Sequence, residues 1–409
     1  MVDNVYDVLF RRGFIAQTTD EAAIRDLLGG EPVTFYIGFD STATSLHVGS
    51  LVPIMAMLHL QRAGHRPIFV TGGGTTMVGD PSGKTEMRQM LTEETIRAYG
   101  KCIHRQVDRY FHFEQSGALA MDNADWLLSL NYVSFLREIG VHFSVNRMLA
   151  AEAYKQRMER GLSFIEFNYQ LLQAYDYLTL YREYGCTLQM GGDDQWGNIL
   201  AGVDLVRRVE GKTVQAMTFP LLATASGAKM GKSAAGAVWL DADLLSPYHF
   251  YQYWVNCDDR DVEKFLKMFT FLPLDEVNRL AALAGADIRQ AKHVLAYEAT
   301  RITHGEDAAQ EAASAAKAAF GGGGDIEAMP TTTIAAAQLR EGIALAALLA
   351  DVGLTQSRGA ARRLIQQGGA YVNEQRVQDV NRVIEAADLT PEGIMLRAGK
   401  KKYHRLVVG

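Results

Sequence analysis

Cysteine, proline and tryptophan are scarce in this 409-residue chain, at three, nine and four residues. Cys102, Cys186 and Cys257 stand far apart, without metal-ligand spacing, and too few to staple a small secreted domain. They read as reduced thiols of a cytoplasmic protein. Long apolar runs are also missing: the longest, such as Ile343 to Ala350, are far too short to span a bilayer. Met1 to Phe14 carries Asp3, Asp7, Arg11 and Arg12 among its apolar residues, which excludes a signal-peptide core. No membrane role is expected. What remains, 48% hydrophobic and 22% charged residues, is ordinary for a globular protein of two or three domains.

Charge is unevenly spread. Residues 342–409 hold ten Lys/Arg against six Asp/Glu, so this tail is +4 in a chain of net charge −6. A basic tail on an acidic body suits contact with a polyanion.

From Thr34 to about Pro220, short strand-like runs alternate with helical patterns. Val33–Ile37 and Pro67–Thr71 flank a helix-compatible stretch from Leu46 to Arg62. Such alternation predicts an α/β fold with a parallel sheet covered by helices. From Ser246-Pro247 to about Phe320 the pattern is helical throughout, with Ser246 as cap and Pro247 in the first turn. An alanine-rich stretch then runs into four glycines and Pro330-Thr331-Thr332-Thr333, which reads as a linker. Beyond it, a stripe of Leu345, Leu348, Leu349 and Val352 precedes a helix capped by Ser357. Ala370–Asn373 reads as a strand entering a turn.

Three motifs carry chemistry. His47-Val48-Gly49-Ser50 follows a strand ending near Gly38 and opens a helix, whose free N–H groups favour phosphate. Lys229-Met230-Gly231-Lys232-Ser233 follows a small-residue stretch, and its two lysines suit a triphosphate losing pyrophosphate. Each alone is commonplace: His-x-Gly is most often structural, and Lys-x-x-Lys is most often a solvated loop. Third, Tyr169, Gln173 and Asp176 are spaced to share one helix face, where polar groups on apolar ground need partners. Gly79-Asp80-Pro81-Ser82-Gly83-Lys84-Thr85 imitates a P-loop, but Val78 stands where the first glycine is required, and Pro81 lacks a donor.

The pairing of the histidine and lysine motifs resembles the class I aminoacyl-tRNA synthetases. The surrounding wording, including Gly191-Gly192-Asp193-Asp194-Gln195-Trp196-Gly197-Asn198, resembles the bacterial-type tyrosyl-tRNA synthetases. Ser357-Arg358-Gly359-Ala360-Ala361-Arg362-Arg363, with Ala370-Tyr371-Val372-Asn373, looks like an S4-type RNA-binding module; a generic helix-turn-helix core is the alternative. The resemblance implies a Rossmann-like catalytic domain (1–225), a mobile lysine loop and connection (226–245), a helical domain of the anticodon-binding type (246–320), a linker (321–341) and an S4-like domain (342–409). It implies activation of L-tyrosine by ATP, with Mg²⁺ expected beside the triphosphate, and transfer to tRNA(Tyr) by a cytoplasmic homodimer.

By the same resemblance, His47, Lys84, Arg88, Lys229, Lys232 and Ser233 act at the triphosphate. Tyr169, Gln173 and Asp80 hold the α-ammonium of tyrosine, Asp176 and Tyr36 meet its phenol hydroxyl, and Gln195 lies near the reacting carboxylate. Gly38, Asp40, Thr42, Gly49, Ser50, Gly192, Asp194, Leu222 and Lys232 line the ATP, with Leu221 a further wall for adenine. Arg358, Arg362 and Arg363 face RNA. Two spellings depart from the commonest motifs: Ser50, where histidine or asparagine is frequent, and Gly231, where serine is frequent. Arg207 and Arg208 are either tRNA contacts or solvated helix charges. Rival readings are a tryptophanyl-type enzyme, disfavoured by Asp176, Tyr36 and the S4-like tail, a non-catalytic RNA-binding protein, and a P-loop hydrolase.

Overall fold

Thr34–Asp40, Arg66–Gly72 and Cys186–Gly192 are rich in β-branched, aromatic and other apolar residues, and all three become central strands. In the computed structural model they belong to a six-stranded sheet: β1 (Gln17–Thr18), β2 (Thr34–Asp40), β3 (Arg66–Gly72), β4 (Leu119–Asp122), β5 (Cys186–Gly192) and β6 (Gln215–Phe219), in spatial order β1-β6-β5-β2-β3-β4. All neighbours are parallel except β1, which runs antiparallel to β6. The structure describes residues 4–82, 90–150, 152–159, 161–225, 227, 230–233, 236–320, 330–373, 375–390, 393–399 and 402–408.

The chain forms two compact units, Met1–Gly231 with Val238–Leu244 and Cys257–Ala291, and Lys232–Ala237 with Leu245–Asn256 and Lys292–Gly409. In the first, β2 connects outward to β3 through a helix, Leu51–Arg62, whereas β5 connects to β6 on the other side through Trp196–Glu210. Adjacent strands whose connections diverge leave a crevice at their carboxyl ends, where α/β sheets bind ligands. Beneath it, Ile68, Val70, Tyr177, Leu178, Leu180 and Cys186 form part of a buried core.

The helix expected from Leu46 starts later, at Leu51, after a 3₁₀ turn over Val48–Ser50. The reason is tertiary. Leu46 and Val48 are drawn into backbone bonds with another segment, Leu240 N to Leu46 O at 2.9 Å and Val48 N to Val238 O at 2.7 Å.

The expected helical stretch is helical, with Ser246 capping Pro247–Val255 as anticipated. It does not form one body, because Cys257–Ala291 belongs with the first unit. The buried Arg12 fastens it there by donating to Lys267 O and Thr270 O at 2.9 Å and to Leu272 O at 2.6 Å. Lys267 O lies in the last turn of the helix Val262–Phe269, Thr270 O at its cap and Leu272 O just beyond, where helix-end carbonyls need outside donors.

The small C-terminal sheet has five strands, in spatial order Gln375–Val377, Ala370–Val372, Ile394–Ala398, Lys402–Val408 and Thr331–Ile334. Thr331–Ile334, read from sequence as linker, pairs in parallel with Lys402–Val408, and Ile334 and Leu339 join the domain core. The domain therefore starts before 342. The β-branched Thr331-Thr332-Thr333-Ile334 run suits a strand once a partner edge exists. Ser357 caps Arg358–Gln366 through Ala360 N, and Arg358, Arg362 and Arg363 are exposed.

Candidate active site

The carboxyl ends of β2 and β5 open onto a cavity of about 520 Å³, within the usual range for small-molecule sites. Every expected tyrosine residue lines it: Tyr36, Asp80, Tyr169, Gln173, Asp176 and Gln195. So do the expected nucleotide residues Gly38, Asp40, Thr42, His47, Gly49, Ser50, Gly192, Asp194, Leu221 and Leu222. Lys84, Arg88 and Lys229 lie outside the described residues. The backbone of Lys232–Ser233 forms a short antiparallel pair with Gly236–Ala237, and the side chains of Lys232 and Ser233 lie outside the described part of the structure.

Tyr169–Tyr184 is one helix, so Tyr169, Gln173 and Asp176 do share a face, and that face borders the cavity. Asp176 is buried and held by two donors, Trp126 Nε1 at 2.7 Å and Asn123 Nδ2 at 3.0 Å. Burial pushes its carboxyl pKa up to about 7, against the two hydrogen bonds, which favour the ionised form. Tyr36 reaches the cavity from β2. Its hydroxyl is buried without a hydrogen-bond partner, and burial followed by the nearby Asp176 charge raises its pKa well above the usual phenol range. Buried polar atoms are nearly always satisfied, so an orphan hydroxyl beside a carboxylate marks where a ligand's polar group belongs.

Asp80 ends the turn after a short helix, Gly73–Val78. Its carboxylate accepts from Gln195 Nε2 at 2.6 Å and from Ser82 N at 2.9 Å. Buried Asn198 braces this cluster, donating to Ser82 Oγ and to Gln195 Oε1, both at 3.2 Å. On the nucleotide side, a Cβ on Gly192 would lie 2.6 Å from Asp194 Oδ1, so glycine lets that carboxylate lie against the strand end. Asp193 anchors the same turn from behind, accepting from Gln17 Nε2 at 2.7 Å and Thr218 Oγ1 at 2.8 Å.

Sequence reasoning missed Asn123, Trp126, Asn198 and Gln189. Gln189 also lines the cavity, with its buried Oε1 unpaired. Asn123 and Trp126 follow β4 and carry no motif; only the sheet order brings them to Asp176. Asn198 was visible inside the glycine-rich motif, but its role depends on the approach of Ser82.

Residues 29–321 match the family described as tRNA synthetases class I (W and Y), and residues 324–406 match the tyrosine–tRNA ligase SYY-like C-terminal domain. The chain is 55% identical over 408 residues to a tyrosine–tRNA ligase of Clostridium tetani, covering 100% of both chains. It is 56% identical over 405 residues to that of Lachnoclostridium phytofermentans, covering 99% of each. The chain belongs to the tyrosyl-tRNA synthetase family. Its fold agrees: a C-terminally truncated Aspergillus nidulans mitochondrial tyrosyl-tRNA synthetase superposes with a TM-score of 0.69 at 31% identity, over 76% of this chain and 92% of that one. As a member of this family, the chain joins a class I synthetase fold to an SYY-like C-terminal domain.

Proposed function

We infer that the chain is a tyrosine–tRNA ligase working at this cavity. The observation that carries the reading is the unpartnered Tyr36 hydroxyl buried beside the Asp176 carboxylate, in the cavity that also takes in His47 and the glycine-bearing strand ends. A para-hydroxyl would satisfy both groups; a phenylalanine ring would leave both unpaired in a dry site.

The chemistry has two steps. A carboxylate oxygen of tyrosine attacks the α-phosphorus of ATP, the bond to the β-phosphate oxygen breaks, and pyrophosphate leaves. A terminal ribose hydroxyl of tRNA(Tyr) then attacks the tyrosyl carbonyl, loses its proton, and AMP departs. No side chain bonds covalently to substrate, so positioning and charge stabilisation supply the rate. In this reading Asp80, Tyr169 and Gln173 take the α-ammonium, Gln195 lies near the carboxylate, and His47 and the lysine motif meet the triphosphate. Mg²⁺ takes oxygen ligands. In this reading the triphosphate supplies them.

Further partners follow. Residues 132–165 leave Tyr132, Val133, Val141, Val145, Met158 and Phe164 exposed, with Val133 71% and Phe164 70% accessible. Exposed apolar side chains of this kind suit burial against a second copy of the chain. Arg358, Arg362 and Arg363 give the small domain a cationic helix for tRNA. No described helix is long and apolar enough to cross a membrane, and a cytoplasmic location fits a tRNA substrate.

Amino-acid-dependent ATP–pyrophosphate exchange across all twenty amino acids tests the reading. Exchange with tyrosine alone is expected. Exchange with tryptophan instead, ATP turnover without any amino acid, or no exchange at all would each point to one of the rival activities.

A further inference from the structure

The His47 imidazole lies between two glycines from separate segments. A Cβ on Gly49 would stand 2.8 Å from His47 Cε1, and a Cβ on Gly231 would stand 2.7 Å from Nδ1 and 3.0 Å from Cε1. Favourable non-bonded carbon contacts lie at about 3.5–4 Å. Neither glycine can therefore take a side chain while the ring keeps its place. Gly231 also has φ +99°, a backbone conformation that residues with a Cβ rarely adopt.

Both glycines are tied to the histidine segment. Gly49 N donates to His47 Nδ1 at 3.0 Å. A backbone amide can only donate, so Nδ1 accepts, and the neutral ring carries its proton on Nε2. Gly231 O accepts from Val238 N at 3.1 Å, while Val238 O accepts from Val48 N at 2.7 Å. His47 and Trp239 form an antiparallel bridge in the same ladder. Met230 N donates to Leu222 O at 2.9 Å, linking the neighbouring residue to a wall of the cavity.

We propose that Gly231 is a positioning residue for His47: its bare backbone backs the imidazole and holds the ring in the orientation that presents Nε2–H to the nucleotide, in the tautomer that Gly49 N–H sets. This rests on the reading of His47 as a triphosphate contact. It gives a physical reason for glycine where this loop more often carries serine. Restoring serine in this chain impairs the enzyme, because the hydroxymethyl group would occupy the space of the ring.

Single-turnover formation of tyrosyl-adenylate, measured for wild type, G231A, G231S, H47G and H47G/G231A, tests the proposal, alongside tyrosine affinity by equilibrium dialysis. G231A and G231S are expected to slow adenylate formation about 10–100-fold, the scale of misplacing a reacting group by about 1 Å, with tyrosine affinity unchanged. In the H47G background, where no ring fills the slot, the same G231A change should cost much less. An equal loss in both backgrounds would assign the effect to the left-handed backbone alone and overturn the proposal. So would wild-type rates in G231S, or a loss of tyrosine affinity matching the loss of rate. A wild-type rate in H47G would instead remove His47 from the site, which separates failure of the site reading from failure of the inference.

Discussion

Trp126 donates its indole N–H to the Asp176 carboxylate across 2.7 Å, reaching from the segment after β4 to the helix Tyr169–Tyr184. With Asn123 on the second oxygen, this bond holds a buried carboxylate whose charge is felt by the Tyr36 hydroxyl in the same cavity. The recognising group is thus fixed before any ligand arrives.

Asp176 titrates near neutrality, at about 7, because burial disfavours its charge. The ionised carboxylate is the stronger acceptor for a phenolic O–H, so tyrosine affinity should rise as pH increases from about 6 to about 8. Asp176→Asn should abolish that dependence and narrow the preference for tyrosine over phenylalanine. Trp126→Phe removes a donor to the charged form and should move the midpoint upward. Stability has the opposite sign: the folded pKa lies above the unfolded 3.8, so this group's contribution falls as pH rises between these values. Isothermal titration and thermal melts across that range read both effects, and a flat wild-type affinity profile would contradict the assignment.

Gly38 lines the cavity, yet a Cβ there would meet no protein atom within 4 Å. Gly38→Ala should therefore fold normally and project its methyl group into the ligand's space. We expect KM for ATP to rise by the equivalent of about 1–3 kcal/mol, the typical cost of an intruding methyl group, with an unchanged urea midpoint. A destabilised protein with normal KM would show that the methyl group meets protein instead.

Arg157 and Glu166 make a doubly hydrogen-bonded ion pair at 3.0 and 2.9 Å, with side chains only 4% and 3% exposed. Glu166 also accepts from Ser163 Oγ at 2.8 Å, closing a capping box just before the helix that carries Tyr169. Removing one charge leaves the other buried and unpaired, so Glu166→Gln should cost about 3–5 kcal/mol in urea unfolding. Arg157→Met with Glu166→Leu should recover most of that loss, since well-packed apolar replacements avoid desolvating two ions.

Arg362→Ala and Arg363→Ala should each weaken tRNA binding and lower the slope of log affinity against log salt by about 0.7–1, as loss of one phosphate contact does. Tyrosine-dependent pyrophosphate exchange should stay at the wild-type level, as expected of arginines that serve tRNA alone. A loss of exchange would tie these residues to the catalytic unit.

Much of the site was legible in the chain because its groups sit in short local patterns. The i, i+4, i+7 spacing of Tyr169, Gln173 and Asp176 needs only a helix to put them on one face. Gly192 ends β5 and Gly38 lies two residues before the end of β2, in the region where parallel-sheet chemistry concentrates. The supporting groups were not legible. Asn123 and Trp126 reach Asp176 only because β4 lies at the end of the strand order. Asn198 reaches Ser82 across 116 positions of chain. The start of the small domain was misplaced for the same reason: Thr331–Ile334 is a strand only beside Lys402–Val408.

Sequence alone determined the repertoire: which chemical groups exist, which lie within one turn or one strand of each other, and where helices and strands must begin. Backbone periodicity and local hydrogen bonding set those choices over a few residues. Tertiary structure decided what each group experiences. The near-neutral Asp176, the orphan Tyr36 hydroxyl and the glycine slot around His47 all arise from packing between distant segments. Burial and contact act over ångströms in space, whatever the separation along the chain.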